Sequence, residues 1–69
     1  MSRDSRTVEG TVLAQLPSGL YRVDVGGARI TAHIGGALDR NFIRVLVGDR
    51  VVVELAAHDL NRGRIVRKI

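Results

Sequence analysis

Residues 31–53, TAHIGGALDRNFIRVLVGDRVVV, change their apolar period twice, and few folds accommodate that in so short a span. Ile30, Ala32 and Ile34 alternate with Thr31 and His33, which is the two-residue period of a strand with one apolar face. Gly35-Gly36 ends that strand, because glycine reaches backbone angles that other residues avoid. Leu38, Phe42, Val45 and Leu46 then fall at i, i+4, i+7 and i+8, an apolar stripe that predicts one short helix within residues 36–46. Arg40 and Arg44, four apart, share a different face of it. Gly48-Asp49 marks a turn, after which Val51, Val53 and Leu55 resume the two-residue period.

The flanking chain supplies more strands. In residues 7–16, Val8, Gly10, Val12, Ala14 and Leu16 share one face, while Glu9, Thr11 and Gln15 share the other, with Leu13 an apolar exception. Gly10 reads as a bend or bulge in a strongly curled strand. Pro17-Ser18-Gly19 is a turn. Residues 20–25 form a second strand with Tyr21, Val23 and Val25 inward, and Gly26-Gly27 makes a tight hairpin to a third at 28–34. A fourth strand spans 50–56, and a fifth lies near 64–67. Residues 1–6 are polar and mixed in charge and read as a flexible tail, leaving 7–69 as a single domain. Five strands in so few residues cannot build a two-sheet sandwich of ordinary size, but they can close into a small barrel without free edges. With one short helix between strands three and four, the expected class is an all-β, five-stranded OB-fold barrel.

Function must then come from the barrel's surface. The chain has 11 Lys+Arg against 7 Asp+Glu, and all its cations but Lys68 are arginine, whose planar fork matches phosphate. A net charge of +4 on 69 residues points to an anionic partner, nucleic acid first. Arg40 and Arg44 on the helix, with Arg62, Arg64 and Arg67 at the last strand, form the candidate RNA-contacting surface; no acid follows Asp59 to neutralise the latter group. His33 points outward from strand three, either as an ordinary surface residue or as an RNA contact. Tyr21 shares a face with core valines and Phe42 lies on the apolar stripe, so both rings read as core. Proteins that bind single strands stack bases on several exposed rings, so this chain is better suited to folded RNA, bound by phosphate and shape.

Catalysis finds no footing. The chain has no cysteine, and its serines lie in the tail and a turn, so no nucleophilic triad can be drawn. His58-Asp59 offers two metal ligands without a source for the rest, and no cofactor is expected. The absence of cysteine, of a signal-peptide core and of a membrane-length apolar run points to the cytoplasm.

The residues that suggest this surface also carry a family likeness. EGTVLAQLPSGLYRV at 9–23, TAHIGGALDRNFIRVLVGDRVVVEL at 31–55 and DLNRGRIV at 59–66 resemble, in order and spacing, bacterial translation initiation factor one. The resemblance implies an OB-fold protein without catalytic activity. It would bind the small ribosomal subunit at the decoding (aminoacyl-tRNA) site through ribosomal RNA and a neighbouring ribosomal protein, as a monomer acting with other initiation factors. It also implies Arg40, Arg44, Arg62, Arg64 and Arg67 as basic contacts, with His33, Asn41 and Phe42 in the matching segment. At the helix entrance the family has Ser-Gly-Lys and a further cation, whereas this chain reads Gly35-Gly36-Ala37-Leu38-Asp39. The alternatives are a general RNA-binding or RNA-chaperone protein of the cold-shock kind, which the aromatic count disfavours, and a protein-interaction module, which the arginines disfavour.

Overall fold

The computed structural model describes residues 6–69, save for the side chain at position 37. Five strands form a closed barrel: β1 (Arg6–Leu16), β2 (Leu20–Val25), β3 (Ala28–Ile34), β4 (Arg50–Leu55) and β5 (Arg62–Lys68), in the spatial order β1-β2-β3-β5-β4. A single short helix, α1 (Gly36–Arg40), lies between β3 and β4. The OB-fold expectation is met. The expected tail falls outside the described residues apart from Arg6, which already belongs to β1.

The alternation along each strand decides what fills the barrel. Val12, Val23, Val51, Val53 and Ile65 are sealed from solvent, and Tyr21, Ile30 and Ala32 pack with them. Each large aliphatic side chain so buried contributes about 1.5–3 kcal/mol. β1 is long enough to serve two neighbours. Its first half pairs with β4 and its second with β2, and Thr11 faces both Arg50 and Asp24. Gly10 lies at this handover, where a Cβ would come within 2.6 Å of Val23 Cγ1 and 2.7 Å of the Asp24 carbonyl oxygen. The slip in the ladder falls between Val12 and Ala14, so the irregularity is at the exposed Leu13 rather than at Gly10.

β3 and β5 pair in parallel, Thr31 opposite Arg62 and His33 opposite Arg64, and the remaining ladders are antiparallel. A second slip between Val52 and Val53 leaves Val66 unmatched on β5 and places Arg67 opposite Val52.

The helix corrects the sequence reading. It ends at Arg40, so Arg44 is not on it and the two arginines are not stacked one turn apart. The Phe42 N–H donates to the Asp39 carbonyl (3.1 Å) and the Ile43 N–H to the Leu38 carbonyl (3.1 Å). Those two bonds are the Schellman closure of a helix C-terminus. It requires a left-handed residue, and Phe42 supplies it with φ 55°. Of the expected stripe only Leu38 and Val45 are buried; Phe42 is 93% exposed and Leu46 53%. The reversal at Phe42 turns its ring away from the core, so Phe42 is not a core residue, whereas Tyr21 is.

Candidate nucleic-acid interface

The expected contact residues lie along β5 and the segments beside it. Across the outer face of the sheet runs the row Leu20, His33, Arg64, Glu54, and next to it the row Arg22, Thr31, Arg62. His33, Arg62 and Arg64 therefore stand together. With Leu20, Thr31 and Asn61 they line a concave pocket of ≈ 530 Å³. Arg67 lies elsewhere, in a shallower depression with Thr7, Val8, Glu9 and Val52.

Gly35 joins β3 to α1. Its φ is not positive, so the strand does not end there because of glycine's special backbone angles. Close approach is what requires glycine: a Cβ at Gly35 would lie 2.8 Å from the Ile65 carbonyl oxygen and 3.1 Å from Arg64 Cγ. The Gly35 N–H donates to that same carbonyl at 2.8 Å. One residue on, an Arg40 guanidinium nitrogen sits 3.6 Å from where a Gly36 Cβ would be. Arg40 and Arg64 thus lie against successive residues of one backbone step.

The charges sort into two states. Arg64 is ion-paired with Glu54 across the β4–β5 ladder, and Arg62 with Asp59, 3.5 Å away in the preceding loop. The expectation that no acid neutralises these two is overturned, because Glu54 comes from the next strand and Asp59 from three residues upstream. Arg50 pairs with Glu9 at 3.3 Å, and Lys68 with Asp49 at 3.0 Å. Among the described residues no carboxylate pairs with Arg40, Arg44 or Arg67. Asn41 is exposed between Arg40 and Phe42.

Between Arg40 and Arg44, then, stands an aromatic ring almost wholly in solvent, on a left-handed backbone. For a residue other than glycine that conformation costs about 1–2 kcal/mol. Strain of this kind persists where the surroundings impose it, and it collects at functional sites. An exposed ring flanked by unpaired guanidinium groups can stack on a base while the cations hold adjacent phosphates. Sequence reasoning missed Asp49, Glu54 and Lys68 as partners in this surface. The outward phase of Glu54 on β4 was the available signal for one of them. Among the described residues no cluster of metal-ligating side chains occurs, and no helix is long and apolar enough to cross a membrane.

No family model matches the sequence. The solution structure of translation initiation factor one from the Wolbachia endosymbiont strain TRS of Brugia malayi superposes with a TM-score of 0.81 at 38% identity, covering 99% of this chain and 82% of that one. This chain belongs to the translation initiation factor one family. The crystal structure of YjeQ from Thermotoga maritima also matches, with a TM-score of 0.75 at 23% identity, over 93% of this chain and 23% of that one. That likeness is one of fold. Within the initiation factor one family, then, this member presents at the turn after α1 an exposed ring and two arginines with which no described carboxylate pairs.

Proposed function

We propose that this protein is a translation initiation factor that binds the small ribosomal subunit at its decoding (aminoacyl-tRNA) site through ribosomal RNA, acting without catalysis as a monomer in the cytoplasm. Its partners would be a neighbouring ribosomal protein and the other initiation factors. Membership of the initiation factor one family supports the role. The observation that carries the RNA contact is Phe42, left-handed and exposed between Arg40 and Arg44, which no described carboxylate neutralises. Arg40, Asn41, Phe42 and Arg44 form the first contact group; His33, Arg62 and Arg64 form the second, with Arg67 at the margin. A general RNA chaperone would stack bases on several exposed rings, and here Phe42 alone is available, since Tyr21 is buried.

Sedimentation tests the assignment. The protein should travel with purified small subunits and should not be displaced by excess unstructured single-stranded RNA. Chemical probing of the subunit should then show protection confined to the decoding region. Equal partition onto single-stranded RNA would favour the chaperone reading, and protection elsewhere would refute the proposed location.

A further inference from the structure

The segment from Asn41 to Asp49 has no regular secondary structure, yet it carries Phe42 and Arg44. Its course is held at several points. Val45 is buried in the core. The Gly48 N–H donates to the Val12 carbonyl (2.8 Å), and the Val12 N–H donates to the Asp49 carbonyl (2.9 Å). The Leu46 N–H donates to the Asp49 carboxylate (2.8 Å), and the Asp49 N–H donates back to the Leu46 carbonyl (3.0 Å). A further tie comes from β5. The Lys68 ammonium lies 3.0 Å from Asp49 Oδ2 and donates to the Arg44 carbonyl at 3.0 Å. One cation thus joins two points of the segment five residues apart. Both charged side chains are mostly shielded, 34% exposed for Lys68 and 24% for Asp49. The Leu46 N–H, and after it Lys68, hold the Asp49 carboxyl below its ordinary value, which favours the charged carboxylate that the clasp uses.

We propose that Lys68 and Asp49 are positioning residues: a charged clasp between the end of β5 and segment 41–49 that fixes how Phe42 and Arg44 are presented to RNA. This rests on the proposed role of the segment as an RNA contact. Without the clasp the segment keeps its anchors at Val45, at β1 and at the helix closure through the Phe42 and Ile43 N–H groups, but loses the brace that spans 44 to 49. It then samples more conformations, and binding must order it at a cost in affinity. A direct phosphate contact by Lys68 is the rival account, and it predicts different behaviour. Removing a phosphate-bound cation flattens the salt dependence by nearly one. Removing a brace leaves that slope unchanged.

The full chain is tested as Lys68→Met, Lys68→Arg, Asp49→Asn, Phe42→Ala, Arg44→Ala and the double variant Lys68→Met with Phe42→Ala. Each is titrated against purified small subunits at two salt concentrations. Amide hydrogen exchange of residues 42–47 is measured in the free proteins. Asn at position 49 keeps an acceptor for the Leu46 N–H and drops only the charge. The expected result is ~3–10-fold weaker binding by Lys68→Met and by Asp49→Asn, with faster exchange in 42–47 and recovery in Lys68→Arg. Asp49→Asn makes the protein more positive, so simple attraction to RNA would tighten binding; weakening is the mark of the clasp. In the Phe42→Ala background, Lys68→Met should cost much less than it does alone. Unchanged exchange, tighter binding by Asp49→Asn, or a full additive loss with a flattened salt slope would each overturn the clasp. If Phe42→Ala and Arg44→Ala bind like the parent protein, the RNA reading of the segment falls, whatever the exchange shows.

Discussion

Arg62 and Arg64 on β5 and Arg40 and Arg44 around the end of α1 belong to the same chemical type and border the same strand, yet they stand in different electrostatic states. Each of the first two already holds a carboxylate, Asp59 or Glu54, whereas the second two hold none among the described residues. To bind a phosphate, a paired arginine must give up its carboxylate, so its net gain is a difference between two similar interactions. An unpaired arginine exchanges only water and counterions. As candidate binding elements the two groups therefore differ in rank, although the sequence alone gives both the same formal charge.

The largest effect should come from testing that ranking directly. On the proposed role, Arg40→Ala with Arg44→Ala would remove two phosphate contacts. Affinity for small subunits should fall ~100-fold at about 0.1 M salt, and the slope of log affinity against log salt should flatten by nearly two. Arg62→Ala with Arg64→Ala should cost ~10-fold or less, because the parent protein already commits part of that charge to its own acids. Titrations over a range of salt would measure both. If the β5 pair proved the costlier loss, the paired state would not govern binding.

The barrel was legible because its signal is local and repeated. The strands keep most of their two-residue alternation, broken near Leu13 and at Val52, and the helix lies where the period switches. The end of that helix was not legible. A Schellman closure is normally announced by glycine at the left-handed position, and here Phe42 occupies it, so the apolar spacing from Leu38 to Leu46 imitates a longer helix. Gly35 stands out in the sequence for the wrong reason, since the contact that demands it, the Ile65 carbonyl, lies thirty residues away. The pairing states were hidden likewise. Glu54 meets Arg64 only through the β4–β5 register, and Lys68 meets Asp49 only once the barrel has closed. Candidate contact residues could be named from sequence and resemblance, but which acid each arginine meets depends on how the chain folds.

A smaller effect should sharpen the contrast from the other side. Glu54→Gln frees Arg64 while keeping the shape of the side chain. Binding should tighten by up to ~5-fold at low salt. Stability should fall by less than about 1 kcal/mol, because both groups are partly in water. Thermal melts beside the same titration would check both signs. Weaker binding would mean that Glu54 holds Arg64 in its productive orientation rather than competing for it.

The smallest effect is expected at Arg62. Its pair with Asp59 spans 3.5 Å, and its side chain is 78% exposed, so water already screens most of the attraction. Asp59 also shapes the loop, because its Oδ1 accepts the Asn61 N–H at 3.0 Å and its carbonyl accepts the Arg62 N–H at 3.1 Å. Asp59→Asn preserves both acceptors and removes only the charge. The loop should therefore keep its form, and the melting temperature should not move measurably. The freed guanidinium should gain at most ~2-fold in affinity at low salt, since an exposed pair of this kind is worth little. That gain should vanish as salt rises, whereas part of the gain in Glu54→Gln should persist, because Glu54 is the more shielded acid. If Asp59→Asn tightened binding more than Glu54→Gln, exposure would not be what separates the two pairs. The loop ahead of β5 would then have to approach the RNA more closely than Arg64 does.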